Sequence, residues 1–393
     1  MKRVVITIVL AATAIVQTAA QIVTVSVTNP GDRQRQEVVE LSDQDVCRRL
    51  GISRDSGIVV TNTIGQEQVW QRTYDGRLLV DVAVQPHQTA TYVIRKGQPT
   101  AFSWSVRGKV HPERADDLTW ENDRGIYRMY GPALQRAGEK AFGTDVWVKN
   151  TPELVVEARY RQHLWGVGQR DSLNRIGRKK DANAVYMATS FHHDHGQGLD
   201  CYAVGQSLGC GAPGLMRDGQ LIFPYCWKDC VIRDNGPLRF TAELTYGKPA
   251  DGIIEHRLVS LDKGAHFNRM TVSYEGITEP LTLATGVVLH GEDHLRLGSD
   301  YVLYADPTEN PALHQSQIYV GVLFPGSSAR HAIHIARQQS HGLGMLYPYK
   351  GEPYTYYFGS AWSRYDVQTL EQWQLCTESF LQDIKNPLII VLE

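Results

Sequence analysis

The strongest constraint on the fold is a long series of short segments in which apolar and polar residues alternate. These segments recur along most of the chain and are separated by Gly, Pro, Asn or Asp. Alternation with a period of two predicts half-buried β-strands, and the turn residues predict antiparallel connections between them. The sequence therefore predicts an antiparallel all-β sandwich or barrel. The predicted strands include IVTVSV, RLLVDVAV, TATYVIR, DVWVKN, LVVEARY, RFTAELTY, IIEHRLVSL, FNRMTVSYEG, LTLATGVVLH, YVLYAD, QIYVGVLF and PLIIVL.

Helical periodicity is rare. A short helix is predicted over residues 43–50, and one clear helix precedes the C-terminus. In the second, Thr369 and Gln372 have the spacing of a capping box, and an apolar stripe at helical spacing follows. Asn386 and Pro387 then end the helix. We expect this stripe to pack against the core.

The first twenty residues have the features of a secretory signal peptide. Lys2 and Arg3 precede an apolar run that ends at Val16, and small residues follow as far as Ala20. The run is shorter than the roughly 20 apolar residues that span a bilayer. We therefore expect cleavage near Ala20 and export, either to a periplasm or out of the cell.

The rest of the chain has the composition of an ordinary globular protein. Removing Lys2 and Arg3 from the 40 basic residues leaves 38 against 42 acidic ones, a formal net charge of −4. This balance lacks the basic surface that nucleic acid or an anionic membrane attracts, so neither is predicted as a partner. A weak shift in composition near residues 97–103 suggests an N-terminal β region, 21–100, and a larger β domain, 101–393; the alternative is that the N-terminal region is an integral part of the sandwich.

Six cysteines are present, and four of them fall between residues 201 and 230. Their spacing fits no standard zinc motif. In an oxidising compartment we expect one or two local disulfides together with buried thiols.

The segment DDLTWENDRGIYRMYGP mixes ionisable and aromatic side chains in the way that a sugar site requires. Aromatic rings stack on the apolar faces of pyranoses, while carboxylates and guanidinium groups bind hydroxyls or a uronate carboxylate. If the segment is a strand, Glu121 and Asp123 share one face and can act as a pair. The alternative is a polar strand edge with core aromatics. The candidates are Glu121 and Asp123 for catalysis and Trp120, Arg124, Tyr127 and Arg128 for binding.

The segment FHHDHGQGLD is the second candidate site. If residues 189–195 are extended, His193 and His195 point to one face, and turns at Gly196 and Gly198 can bring Asp200 back towards them. Two imidazoles and a carboxylate could bind a divalent metal ion, or they could act as an acid–base pair without one. His192 and Tyr202 complete the predicted binding residues of this segment.

A third segment, YPYKGEPYTYYFGSAWSRYD, is rich in tyrosine and tryptophan. Such residues suit stacking on carbohydrate, and an interface or a core rim is the alternative. Tyr357 and Trp362 are the candidate binding residues here.

The blocks WENDRGIYRMYGPALQ, DVWVKN, FHHDHGQGLDCYAVG, LATG and YYFGSAWS together resemble an exported bacterial family known as domain of unknown function, family 4861. The resemblance covers nearly all of the chain after the signal peptide. It implies a role in polysaccharide utilisation and an antiparallel β-supersandwich of the galactose-mutarotase type, with a short N-terminal β segment and one C-terminal helix.

Residues and resemblance together predict an exported protein that acts on an acidic, uronate-containing oligo- or polysaccharide. A lyase or a hydrolase is the leading hypothesis, because clustered His and Asp residues suit catalysis. A sugar mutarotase and a non-catalytic carbohydrate-binding protein are the alternatives.

Overall fold

A computed structural model describes residues 21–222, 226–247, 252–291, 294–308, 316–327, 329–335 and 339–393. The predicted signal peptide lies outside these residues. The described chain is mostly antiparallel β, which confirms the predicted fold class. No helix in the described ranges is long and apolar enough to cross a membrane.

The N-terminal region forms a small two-sheet sandwich. Its core consists of inward-facing residues such as Val23, Val60 and Ile94, each fully buried. One helix, α1 (Asp43–Leu50), begins as predicted after Ser42, whose hydroxyl accepts a hydrogen bond from the Asp45 amide. The strands are β1 (Ile22–Thr28), β2 (Arg35–Ser42), β3 (Ile58–Asn62), β4 (Trp70–Arg72), β5 (Arg77–Val84) and β6 (Thr89–Lys96).

A five-stranded sheet, called here the central sheet, follows. Its spatial order runs backwards along the chain, from β11 through β10, β9 and β8 to β7. A 3₁₀ turn (Pro112–Arg114) and a short helix, α2 (Pro132–Arg136), interrupt these strands. The strands are β7 (Arg107–His111), β8 (Asp117–Glu121), β9 (Ile126–Met129), β10 (Thr144–Val148) and β11 (Leu199–Asp200).

Two helices between β10 and β11 form a helical hairpin that the sequence did not predict. They are α3 (Val156–Arg175) and α4 (Lys179–Thr189). LVVEARY, predicted as a strand, runs into the first turn of α3. The strand prediction is wrong there because two adjacent valines favour β structure locally, whereas contacts with the central sheet decide for helix.

The remaining strands build the large sandwich. One sheet has five strands in the order β13-β12-β18-β23-β22, and the other has eight in the order β14-β15-β16-β17-β24-β21-β20-β19. The strands are β12 (Cys210–Arg217), β13 (Gln220–Ile222), β14 (Trp227–Asn235), β15 (Arg239–Tyr246), β16 (Ile254–Asp262), β17 (Phe267–Glu275), β18 (Leu281–Leu289), β19 (Leu295–Leu297), β20 (Tyr301–Asp306), β21 (Ile318–Leu323), β22 (Arg330–Ile335), β23 (Ser340–Tyr349) and β24 (Tyr354–Trp362).

The C-terminal helix, α5 (Leu370–Lys385), confirms the sequence prediction. The Thr369 hydroxyl accepts a hydrogen bond from the Gln372 amide at 3.2 Å, and the Gln372 side chain reaches the Gln368 amide at 2.6 Å. Trp373 and Leu381 bury the apolar stripe against the outer face of the eight-stranded sheet.

The last strand, β25 (Ile389–Leu392), pairs with β1. It therefore completes a sheet of the N-terminal sandwich, although the predicted division assigned it to the domain formed by residues 101–393. None of the six cysteines, all within the described ranges, forms a disulfide, so the expected local bridges are not present.

Candidate functional site

The central sheet has one apolar face and one polar face, and both are buried. Leu118 and Trp120 of β8 point into the core of the large sandwich. Asp117, Thr119 and Glu121 alternate with them and point towards the α3–α4 hairpin. The hairpin therefore covers a row of charged and polar side chains, which concentrates ionisable groups in a region of low dielectric constant.

Arg128 of β9 is the centre of this polar face. Its guanidinium lies 2.5 Å from the Asp145 carboxylate and 2.9 Å from that of Asp200. Strand register produces the cluster, because Arg128 lies directly opposite Asp145, and Trp147 lies opposite Asp200. The Arg128 guanidinium also stacks over the Trp147 ring, 5.1 Å from its centroid.

Asp145 and Asp200 pair with this guanidinium, and an Asp117 carboxylate oxygen lies 3.9 Å from it, so the Arg128 cluster carries an excess of negative charge when these carboxylates are ionised. Burial, partly offset by Arg128, raises the pKa of Asp145 to about 7. Burial also raises the pKa of Asp200. Asp145 therefore gains or loses its proton near neutral pH.

His192 lies at the solvent side of the same cluster. Its Nδ1 is 3.0 Å from the Asp200 carbonyl oxygen and 3.6 Å from the Asp200 carboxylate, and 45% of its side chain is exposed. A carbonyl oxygen can only accept, so Nδ1 carries the hydrogen and Nε2 carries a free electron pair. Burial lowers the pKa of His192, which keeps the ring neutral.

A second histidine is held in the same way by the large sandwich. His290, just after β18, places Nδ1 2.6 Å from a carboxylate oxygen of Asp306 at the end of β20. Asp306 is fully buried, whereas 21% of the His290 side chain is exposed. A carboxylate that fixes the tautomer of a histidine leaves its other nitrogen able to take a proton.

Tyr202 lies two residues after Asp200 in the chain and contacts His290. Its ring lies edge-on to that of His290, with centroids 6.1 Å apart. Its hydroxyl is buried and has no hydrogen-bond partner among the described residues. Burial, Asp306 and Asp145 all raise the pKa of Tyr202 well above its ordinary value, so the hydroxyl is protonated at neutral pH. We call the group the Tyr202 site; it consists of Tyr202, Arg128, Asp145, His192, Asp200, His290 and Asp306.

The histidine-rich segment itself is a turn, not a strand. The Asp194 carboxylate accepts hydrogen bonds from the amides of Gly196 and Gly198, which have φ angles of +91° and +98°. The glycines are therefore required by backbone geometry, as predicted. The extended conformation assumed for residues 189–195 is wrong, because α4 extends to Thr189 and the chain then turns.

This turn does not bring the three predicted residues together. The Nε2 of His195 is 3.0 Å from the Ser190 carbonyl oxygen, and the His193 amide also donates to that oxygen. Asp200 meets His192 and Arg128 instead. No three His, Cys, Asp or Glu side chains in the described ranges, His193, His195 and Asp200 included, form a group that could hold a metal ion.

A protein-family model matches most of the chain, including all residues of the Tyr202 site. The model of a domain of unknown function, DUF4861, matches residues 27–390. The chain belongs to the DUF4861 family. A relative named "Uncharacterized protein P7", from Formosa agariphila, is 24% identical over 383 residues, which is 91% of this chain and 90% of that protein.

Solved structures share the fold of this DUF4861 protein. An alpha-mannosidase from Enterococcus faecalis V583 matches 96% of the chain and 46% of its own length, at 8% identity and a TM-score of 0.50. A glycosyl hydrolase family 38 protein from Enterococcus faecalis matches 95% of the chain and 48% of its own length, also at 8% identity and a TM-score of 0.50. The chain thus spans about half the length of these structures, and the likeness concerns the fold.

Glu121 of this DUF4861 protein is 3% exposed, and its carboxylate is held by other groups of the protein. Its carboxylate accepts hydrogen bonds from the amides of Val155 and Val156, both at 2.9 Å, and lies 3.1 Å from the Lys149 ammonium. A carboxylate at this position satisfies the free amides at the start of α3. Asp123 lies in the turn after β8 and accepts from the Gly264 amide. The predicted Glu121–Asp123 pair is wrong because the strand ends between them.

The aromatic residues predicted to stack on sugar are core residues. Trp120, Tyr127 and Trp362 are each at most 2% exposed. Trp120 stacks on Tyr127 and donates to the Asn268 side-chain oxygen at 2.6 Å. Their side chains have no surface for a sugar ring, so these predictions are wrong. Arg124 lies nearby at the surface and pairs with Asp366.

The sequence analysis did not predict three members of the Tyr202 site. Asp145 lies within a strand whose five residues are all buried, TDVWV, and an acid in such a strand is a usable signal. His290 and Asp306 each follow or end an apolar strand, a weaker signal that many surface residues share. Arg128, His192, Asp200 and Tyr202 were predicted as site residues.

Tyr357 was also predicted as a binding residue. It lies on the outer face of the eight-stranded sheet, whereas Tyr202 lies in the core on the inner face.

Proposed function

We propose that this DUF4861 protein is an exported carbohydrate-active enzyme that cleaves uronate-containing glycans by β-elimination at the Tyr202 site. The fold that it shares with an alpha-mannosidase supports a role on carbohydrate. The chemistry of the Tyr202 site supports proton transfer as the reaction type.

One observation carries the proposal: a buried, protonated tyrosine hydroxyl without a partner lies beside a histidine whose tautomer is fixed by a carboxylate. In the elimination, His290 Nε2 takes the proton from C5 of the uronate. The C5–H electron pair forms the C4–C5 double bond, and the C4–O4 bond breaks. Tyr202 donates its proton to O4, which requires the bound sugar to gain access to a hydroxyl that is buried in the free protein. The raised pKa of Tyr202 keeps this hydroxyl protonated until the leaving oxygen develops charge.

The other groups of the Tyr202 site prepare it for an acidic substrate. Protonation of Asp145 removes one negative charge from the Arg128 cluster, which reduces the repulsion of a uronate carboxylate. The half-exposed His192 carries a free electron pair on Nε2 and can accept a hydrogen bond from a sugar hydroxyl.

Hydrolysis fits these residues less well. A glycoside hydrolase of the usual kind uses two carboxyl groups that flank the scissile bond. The predicted pair does not meet, since Glu121 caps α3, and Asp145 and Asp200 are both occupied by Arg128.

Incubation with a panel of uronic-acid oligosaccharides tests the proposal. We expect products that absorb in the ultraviolet and whose masses add up to that of the substrate. Products that gain one water would identify a hydrolase, and an unchanged mass with an altered anomer ratio would identify a mutarotase. Repeating the assay with EDTA tests the predicted divalent ion, because activity that is lost and then restored by an added ion would confirm it. N-terminal sequencing of the exported protein tests cleavage near Ala20.

A further inference from the structure

A second cleft, which we call the helix cleft, lies between the N-terminal sandwich, the outer face of the eight-stranded sheet and helix α5. Its volume is about 750 Å³, within the range of small-ligand pockets. Strand β2 forms one wall, α5 forms another, and β17 and β24 form the floor. Its lining includes Arg33, Arg35, Lys263, Arg269, Tyr357 and Phe380.

The helix cleft is separate from the Tyr202 site. Along β17, Asn268 and Met270 are fully buried in the core, whereas Arg269 between them is exposed. Neighbouring residues of a strand point to opposite faces, so Arg269 lies on the outer face of the sheet. Tyr202 belongs to the core cluster on the inner face. Ligands in the two places would not compete for the same residues.

Arg269 is the unmatched charge of the helix cleft. Within the described ranges, its guanidinium has no carboxylate at ion-pair distance and no hydrogen-bond acceptor. The other arginines and the lysine that line the cleft each have a carboxylate partner: Arg33 and Arg35 with Asp383, and Lys263 with Asp81. An exposed guanidinium that no acid neutralises is available to a ligand carboxylate, which it can bind through two parallel hydrogen bonds.

An aromatic ring lies beside this guanidinium. Tyr357 of β24 is the direct cross-strand partner of Arg269. Its ring is partly exposed at the floor of the cleft and packs edge-on against Phe380 of α5, with centroids 5.1 Å apart. That contact fixes the ring in place. A fixed aromatic ring next to a free guanidinium can hold the apolar face and the carboxylate of one sugar acid.

We propose that the helix cleft binds one uronate unit of the polysaccharide through Arg269 and Tyr357, as an anchoring site without catalysis. The class of ligand rests on the proposed function, whereas the site itself rests on the free Arg269. Anchoring a polymer at a second site raises the local concentration of its other units at the Tyr202 site.

Affinity electrophoresis through gels that contain polygalacturonate tests this site apart from catalysis. The His290→Ala background prevents turnover during the run. We expect Arg269→Ala to weaken retention about tenfold, as the loss of one charge-assisted contact does. Arg269→Lys keeps the charge but lacks the planar guanidinium, so its retention should lie between that of Arg269→Ala and that of the protein with Arg269 intact. The control is Arg49→Ala, which removes an exposed arginine of α1 outside the cleft.

Equal retention of Arg269→Ala and Arg49→Ala would overturn the proposal, as would equal retention by a neutral galactan gel. Retention that depends on Arg269 only in a gel of sulfated polymer would overturn the uronate assignment. In the His290-containing protein, Arg269→Ala should leave turnover of a short oligosaccharide unchanged. If no uronate is turned over at all but retention still depends on Arg269, the proposed function fails and the anchoring site stands.

Discussion

Replacing Tyr202 with phenylalanine separates a functional hydroxyl from a structural one. The Tyr202 hydroxyl is buried and has no partner among the described residues, so the change breaks no hydrogen bond of the protein there. An unsatisfied buried polar group costs about 1–3 kcal/mol. We therefore expect the free energy of unfolding of Tyr202→Phe to stay the same or to rise by about 1 kcal/mol.

The same change should remove most of the activity. If Tyr202 donates the proton to the leaving oxygen, its loss removes general acid catalysis, which is worth about 10²- to 10⁴-fold in rate. That factor corresponds to about 3–5 kcal/mol in the activation barrier. The assay follows the ultraviolet absorbance of the unsaturated product, and urea titration gives the free energy of unfolding.

Tyr356→Phe is the matched control. Tyr356 is also fully buried, but its hydroxyl donates to the Gly211 carbonyl oxygen at 2.7 Å. Its loss should cost about 1 kcal/mol of stability and leave kcat within about twofold. If Tyr202→Phe loses as much stability as Tyr356→Phe and keeps its kcat, the hydroxyl is structural and the assignment of the acid is wrong.

Three further predictions follow from the same groups. Glu121→Gln should lower the free energy of unfolding by about 3 kcal/mol or more, because Lys149 then stays buried without a carboxylate; a loss below 1 kcal/mol in a urea titration would contradict the capping role. The pKa of Asp145 is raised in the folded state, so this carboxyl makes the free energy of unfolding fall as pH rises from about 4 to about 7. In Asp145→Asn the free energy of unfolding should fall less over this pH range. An equal fall in the two proteins would show that another group is responsible. His192→Ala should reduce turnover at least tenfold and His193→Ala less than twofold, since only the first ring contacts the Arg128 cluster; the reverse order would return the catalytic role to the predicted pair.

The local sequence was sufficient to predict an element wherever the contacts that stabilise that element are close together in the chain. The strand TATYVIR alternates because every second residue enters one core, and that pattern is visible in the letters. The C-terminal helix carries its own cap at Thr369 and its own apolar stripe, so its start and its buried face were both predictable.

The α3–α4 hairpin was not predictable for the opposite reason. Its first turn has no capping side chain of its own, since Val155 stands at the N-cap. The free amides there are bound by Glu121, 34 residues earlier in the chain. A stabilising contact at that separation leaves no periodic trace in the helix sequence.

By itself, the sequence determined the β class, the C-terminal helix and the residue types from which a proton-transfer site can be built. It also indicated which residues of β8 share a face, because that alternation is a property of the backbone. Only the tertiary structure decided what covers each face. The hairpin buries Glu121 as a cap, strand register places Asp145 against Arg128, and two distant strand ends bring His290 and Asp306 to Tyr202. These contacts join segments far apart in the chain, and no local pattern records which segments will meet.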